Sequence, residues 1–351
     1  MTYIISGIQQ VGIGVTDAEN AWTWYRKHFD MDVPVFKDAA EAKLMTRYTS
    51  GKVESRYAIL ALNMSGGGGF EIWQYTSKVP LKAEFDIVLG DTGIYATKIK
   101  SRAVEEKYHE LKAKGANIVS PLAQAPDGRK HFFLTDPYGN LFEIVESTSW
   151  FKIGKSKNGG VSGCVMGVSD MDKAIPLYRD VLGYSVVYDT TEVFTDFKGL
   201  PGGEDKYRRV LLRGTKSGKG NFGRLLGATE IELVQVFGRT PRKIFGHRNW
   251  GDLGFIHLCF DVNGMKELAK KAEASGFPFT VDSSTSFDMG KAAGQFTYIE
   301  DPDGTLIEFV ETHKIPIFEK IGWYLSLKKR NPEKPLPNWM VGMLSLNRVK
   351  D

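Results

Sequence analysis

Two hydropathy periods alternate along this chain in a fixed order. Ile8, Val11, Ile13 and Val15 mark a strand-like run that ends at Asp17, a residue type that caps helices. Trp22, Tyr25 and Phe29 then lie on one face of a helix. The same order returns 153 positions later, so that Asp17 falls on Asp170 and Tyr25-Arg26 on Tyr178-Arg179. Farther along, the offset becomes 161 and holds without a gap. Glu71, Gln74, Pro80, Gly90-Asp91, Gly93 and Gly115 fall on Glu232, Gln235, Pro241, Gly251-Asp252, Gly254 and Gly276. Each half contains two submodules that run strand, helix, then several strands. The closing hairpins of the second and fourth carry Asp136-Pro137-Tyr138-Gly139 and Asp301-Pro302-Asp303-Gly304, where Pro fixes φ and Gly relieves the turn.

A carboxylate with apolar neighbours follows in each last strand: Phe70-Glu71-Ile72, Phe142-Glu143-Ile144, Ile231-Glu232-Leu233 and Ile307-Glu308-Phe309. With period two, each Glu faces away from its neighbours. If the neighbours pack under helices, four acids line the other face. An unpaired buried carboxylate is costly, so that face needs a chemical reason.

Two stretches interrupt the repeat. Ser147 to Gly160, rich in Lys, Ser and Gly, reads as the connection between halves. Residues 313–351 match no module and read as a strap across the domains, with a helix expected from Asn338 to Arg348. Charged residues make up 25% of the 351 and net charge is only +4, which excludes extensive disorder and a nucleic-acid footprint. Cys164 and Cys259 sit in apolar strands and suit reduced, buried thiols. With no apolar run of membrane-spanning length and no signal-peptide pattern, the chain reads as a cytoplasmic protein that engages no membrane. The Gly66 to Gly69 run lacks the strand-to-helix context and Lys of a phosphate loop.

The first-strand, Asp-Pro-x-Gly and last-strand Glu signatures resemble the vicinal oxygen chelate superfamily, which comprises glyoxalases, bleomycin-resistance proteins and extradiol dioxygenases. The resemblance implies an α+β fold of four βαβββ modules, pairing into two half-open mixed β-barrels with helices outside. It divides the chain into a glyoxalase-like half at 1–148, a linker at 149–160, a second such half at 161–312 and the strap. It spans about 310 residues and says much about fold but little about reaction.

In this family, up to four positions converge on a divalent metal, one early in the first strand and one in the last strand of each paired module. Here they are Gln10 and Glu71, Ala96 and Glu143, Gly163 and Glu232, and His257 and Glu308. A two-residue shift would exchange Ala96 for Ile94; neither binds metal. Sequential pairing gives each half three potential ligands and a blank. Pairing one with four and two with three gathers Gln10, Glu71, His257 and Glu308 in one pocket, like the Gln, Glu, His, Glu ligation of glyoxalase I, and leaves Glu143 and Glu232 in the other. The second pairing is the more economical, although sequential pairing is commoner in ring-cleaving dioxygenases of this length.

One imidazole with oxygen donors suits a single Zn, Mn, Ni, Co or Mg ion better than Fe(II). The resemblance then implies Lewis-acid isomerase or lyase chemistry on a small oxygenated substrate, with Glu308 or Glu71 as general base. An Fe(II) ring-cleaving dioxygenase is the alternative, but it needs a second His, which would have to be His131 or His247. A non-catalytic small-molecule binder, walled by Trp22, Trp24, Trp73 and Trp250, is another. Arg208, Arg209, Arg239 and Arg242 are the basic residues available to an anionic substrate. His28 and His109 read as surface residues, His313 as a rim residue, and Glu143 and Glu232 as acids satisfied by hydrogen bonds or solvent. The chain is expected to be a monomer or homodimer.

Overall fold

In a computed structural model, residues 3–214, 218–283, 287–288, 293–318, 323–327 and 330–350 are described. The first half supplies β1 (Ile4–Gly14), β2 (Val33–Glu41), β3 (Ser55–Leu62), β4 (Gly69–Tyr75), β5 (Gly93–Ser101), β6 (Asn117–Ile118), β7 (Ala123–Gln124), β8 (Lys130–Thr135) and β9 (Leu141–Glu146). The second half supplies β10 (Asn158–Gly167), β11 (Tyr184–Glu192), β12 (Tyr207–Gly214), β13 (Glu230–Val236), β14 (Gly254–Asn263), β15 (Val281–Asp282), β16 (Phe287–Asp288), β17 (Ala293–Glu300), β18 (Leu306–Phe318) and β19 (Trp323–Ser326). The α-helices among the described residues are α1 (Ala18–Phe29), α2 (Val104–Ala113), α3 (Met171–Pro176), α4 (Gly223–Leu226), α5 (Met265–Ala274) and α6 (Asn338–Gly342).

The strands form two mixed sheets in an α+β fold, and each sheet takes one module from each half. Sheet one runs β15-β17-β18-β14-β1-β4-β3-β2, with β16 on β17 and β19 on β18. Sheet two runs β11-β12-β13-β10-β5-β9-β8-β6, with β7 on β8. Modules one and four therefore meet through antiparallel β1 and β14, and modules two and three through antiparallel β5 and β10.

The repeated polar residues build this scaffold. Asp17 accepts the Asn20 N–H at the start of α1, and Asp170 accepts those of Asp172 and Lys173 at α3. Gln74 and Gln235 accept the next free helix N–H groups, those of Ala18 at 2.9 Å and Met171 at 3.0 Å. Tyr25 donates to Asp136 at 2.6 Å and Tyr178 to Asp301 at 3.3 Å. Each bond ties a helix of one sheet to the Asp-Pro-x-Gly turn of the other.

Alternation sorts the strand residues between two environments. Phe70, Ile72, Phe142, Ile144, Ile231, Leu233, Ile307 and Phe309 join the large core with the helices. The opposite face of sheet one carries a separate cluster containing Trp73, Tyr75, Trp250, Ile256 and Tyr298. A bulge shapes β14: Gly12 stands opposite His257 and Ile13 opposite Phe255, so Ile256 is the extra residue. Phe255 stays in the core while Ile256 and His257 both turn to the other face.

The glycine run after β3 is a joint between the sheets. A Cβ on Gly67 would lie 2.8 Å from the Gly160 carbonyl carbon, and one on Gly160 would lie 2.2 Å from the Gly68 oxygen. Only bare backbone allows the reciprocal bonds between Gly68 and Val161. Past β19, Leu327, Leu336 and Val341 pack with Val33, Leu62, Met64 and Leu225, and Arg348 pairs with Asp32. The expected helix from Asn338 to Arg348 is a short α-helix that tightens into a 3-10 turn over Met343–Asn347. Among the described residues, no helix is long and apolar enough to cross a membrane.

Candidate metal centre

Four strands of sheet one bring Gln10, Glu71, His257 and Glu308 together. The His257 Nε2 lies 3.3 Å from Glu71 Oε2 and 3.0 Å from Glu308 Oε2. The Gln10 amide donates to Glu71 Oε2 at 3.2 Å. One donor atom from each of Glu71, His257 and Glu308 falls within 4.8 Å of the others. The imidazole has room because Gly12 faces it: a Cβ there would lie 2.3 Å from His257 Cε1.

The electrostatics are those of a cation site. Burial works against a charged His257 ring, but Glu308 and Glu71 outweigh it and push the ring up to about 10. Burial raises the Glu71 carboxyl, yet its hydrogen bond and charge interaction with His257 carry it below the ordinary value. Burial, joined by the Glu308 charge, pushes the Cys259 thiol and the Tyr298 hydroxyl well up, so both stay neutral. Gln10 Oε1 and His257 Nδ1 are buried without a hydrogen-bond partner, while His257 Nε2 and Glu308 Oε2 face each other at 3.0 Å. Buried polar atoms ordinarily have partners, and here the amide oxygen has none while the imidazole nitrogen and the two carboxylates have chiefly one another. Together with Glu71 they form a neutralising, oxygen-rich donor set that fits a divalent ion.

The surrounding wall is aromatic. The Trp250 ring is parallel to His257 with centroids 6.4 Å apart, Tyr298 meets it edge-on at 5.6 Å, and Trp73 meets Trp250 at 4.7 Å. Both indole N–H groups are buried without an acceptor. Trp22 and Trp24 are elsewhere: Trp22 lies in the helix core and Trp24 packs against it. Tyr298 was not legible as a wall residue; its one signal is its position opposite Glu308 in β17 and β18.

Sheet two holds the other two acids in a different setting. The Lys98 ammonium lies 2.8 Å from Glu143 Oε2 and 2.5 Å from Glu232 Oε2. Arg209 pairs with Glu232 and with Asp196, the latter at 2.6 Å. His131 places Nδ1 2.8 Å from Glu143 and Nε2 3.1 Å from Asp196, and Tyr188 donates to Glu232 at 2.7 Å. Glu143 and Glu232 are therefore held by cations as well as hydrogen bonds, away from solvent. Both carboxyls sit below their ordinary value: burial raises them, but Lys98 and His131 outweigh it for Glu143, and Arg209 and Lys98 for Glu232. Phe194, Phe197 and Leu200 pack over this face beside Ala96, and Ile94 lies in the helix core, which fixes the register. Lys98 and Asp196 escaped the sequence reading, and Arg209, offered there to an anionic substrate, instead pairs with these acids; the available signal was a pair of lysines, Lys98 and Lys100, inside an otherwise apolar strand.

The remaining candidates disperse. His28, expected on the surface, is 4% exposed; it stacks on Trp24 and its Nδ1 bonds the Trp24 carbonyl oxygen. His109 and His247 are exposed, and His313 is partly buried beside Glu311. The basic residues offered for an anionic substrate all have carboxylate partners: Arg208 with Asp189 and Asp172, Arg209 as above, and Arg239 and Arg242 with Asp91. Cys164 and Cys259 are free and buried.

A family profile described as the Glyoxalase/Bleomycin resistance protein/Dioxygenase superfamily matches residues 7–144 and 160–309. Among solved structures, a putative dioxygenase from Bacillus subtilis is 16% identical, with 88% of this chain and 86% of that one covered and a TM-score of 0.58. Glyoxalase I from Zea mays is 14% identical, covers 88% of this chain and 92% of its own, and has a TM-score of 0.54. At these identities the likeness concerns the fold. No curated protein matches the sequence.

Proposed function

The chain belongs to the glyoxalase, bleomycin-resistance and dioxygenase superfamily, and from that premise we propose a metal-dependent isomerase or lyase of glyoxalase or epimerase type. Its site is the set Gln10, Glu71, His257 and Glu308. The observation that carries this reading is their convergence from four strands, with the donor atoms of Glu71, His257 and Glu308 within 4.8 Å of one another and the Gln10 amide oxygen left without a partner.

A divalent ion bound there supplies Lewis acidity, which makes a carbon acid next to a substrate carbonyl easier to deprotonate. Glu308 is the base we assign. Its Oε2 meets only the His257 ring, whereas Glu71 Oε2 meets that ring and also accepts from Gln10. A proton taken by Glu308 and returned to the neighbouring carbon gives an isomer. Delivery by Glu71 to the opposite face gives an epimer, and departure of a leaving group gives a lyase product. Trp73, Trp250 and Tyr298 keep water from these carboxylates, and the free indole N–H groups suit an oxygenated substrate. A ring-cleaving oxygenase needs a second imidazole in the facial triad. The two candidates for it lie elsewhere, His131 in sheet two and His247 on the surface.

The test is metal content after dialysis against Zn, Mn, Ni and Fe(II) in turn. About one divalent ion per chain is expected, with His257→Ala lowering affinity at least tenfold, because loss of a ligand exceeds the roughly 10- to 100-fold of outer contacts. Gln10→Ala should weaken the same site and Glu232→Ala should not. Unchanged metal content in both His257→Ala and Gln10→Ala would sink the assignment; preferential retention of iron would favour an oxygenase.

A further inference from the structure

The two sheets are related by the internal repeat, and their central faces can be compared position by position. Parallel pairing sets Gly12 opposite Glu71 in sheet one and Val165 opposite Glu232 in sheet two. It likewise sets Cys259 opposite Glu308 and Lys98 opposite Glu143. Glu143 and Glu232 are thus the counterparts of Glu308 and Glu71. Ala96 stands where the repeat places His257, and Lys98 where it places Cys259. The side chains differ while the carboxylates are retained.

The retained carboxylates have a cation between them. The Lys98 ammonium bridges one oxygen of each and lies 3.7 Å from Glu230. It is 2% exposed, and the residue at the position that corresponds to His257 is the small Ala96, also buried. Burial opposes its charge, but Glu143, Glu232 and Glu230 outweigh burial and hold the proton on. Such a lysine is not a nucleophile or a base at neutral pH. The acids are also matched by cations: Lys98 and Arg209 meet Glu143, Glu232 and Asp196, His131 lies between Glu143 and Asp196, and Glu230 is paired with Arg129 and Arg213. A divalent ion added to this group would meet an ammonium where it must sit.

We propose that Lys98 is a tethered cation standing in the metal position of a second, latent metal site whose retained carboxylates are Glu143 and Glu232. An ammonium satisfies the two carboxylates without offering open coordination positions, so sheet two gains a permanently filled centre. Phe194, Phe197 and Leu200 pack over the same face, as befits a centre that admits no substrate. The latent site stands on geometry independent of the assignment made for sheet one.

Four proteins test it: wild type, Lys98→Ala, His257→Ala and the double variant, each dialysed against Mn(II), freed of excess ion and analysed for metal. The expected contents are about one, two, zero and one ions per chain in that order, as the two carboxylates released from the ammonium become available. The difference between the double variant and His257→Ala reads sheet two alone; the difference between wild type and His257→Ala reads sheet one alone. Equal metal in the double variant and in His257→Ala overturns the proposal, whatever the outcome for sheet one. Removing the ammonium leaves two buried carboxylates facing each other, so Lys98→Ala is expected to unfold earlier in EDTA and to regain stability with Mn(II). A Lys98→Ala protein that Mn(II) fails to fold or stabilise also overturns it. Lys98→Arg, which keeps a cation, should hold the wild-type amount; an additional ion in that variant would count against the proposal.

Discussion

His131 has a carboxylate within reach of each ring nitrogen, and the charged imidazole is the form that serves both. Burial disfavours that form, but Asp196 and Glu143 win and raise the ring to about 8 from 6.5. A raised folded-state value means stability that is complete below the unfolded value near 6.5 and lost as pH rises through about 8. The shift corresponds to about 2 kcal/mol. Glu143 has the opposite sign: its lowered value adds stability above the ordinary carboxylate range that is lost on acidification, outside this window. Urea unfolding at pH 6 and pH 9 should show wild type losing about 2 kcal/mol more than His131→Gln over that interval; equal losses would contradict the charged ring. Gly12 is a second residue-scale test. An alanine Cβ would lie 2.3 Å from the His257 ring, so Gly12→Ala should displace the imidazole and lower Mn(II) affinity at least tenfold by titration, while the circular-dichroism spectrum is kept. At this scale the four residues proposed as ligands were legible because the repeat fixes where each strand residue points. Gly12 and Lys98 were not, since their roles depend on which strand from the other half lies opposite.

At the scale of elements, the residues that recur at the two offsets are chiefly those that make the modules fold. Asp17 and Asp170 cap helices, Gln74 and Gln235 complete the caps, and Tyr25 and Tyr178 bond the turns that begin with Asp136 and Asp301. Tyr25 and Asp136 are both buried, so their bond is protected from water. Tyr25→Phe should cost about 1.5–3 kcal/mol in urea unfolding, the usual range for a hydrogen bond to a charged group, and should leave metal content unchanged. A change below about 0.5 kcal/mol would mean the bond does not hold helix and turn together. Periodicity revealed the strands, helices and hairpins because it reports burial directly. It could not reveal the bulge at Ile256, where one extra residue lets His257 and its neighbour face the same way. Nor could it show that α3 gives way to a π turn over Leu177–Val181 after Pro176, where the ring supplies no N–H to continue the helix.

At the scale of the whole molecule, the site proposed in sheet one draws Gln10 and Glu71 from the start of the chain and His257 and Glu308 from near its end. Neither half contains that set by itself. The halves are joined by β1 on β14 in one sheet and β5 on β10 in the other, by the Gly66–Gly68 joint, and by the tail packed on Val33 and Leu225. Which modules pair was the part of the architecture that sequence left open, since each module's own pattern satisfies either arrangement; only the count of ligand positions favoured the exchanged one. A cut in the connection separates the two arrangements physically. Lys152 to Lys155 are exposed, so a protease site inserted after Gly154 should be cleaved without disturbing either sheet. With modules exchanged, the cut protein should elute from gel filtration as one particle, bind about one Mn(II), and come apart only in denaturant, because separating it strips two central strand pairs. Halves that drift apart in native buffer, each keeping its own metal content, would show that each half completes its own sheets.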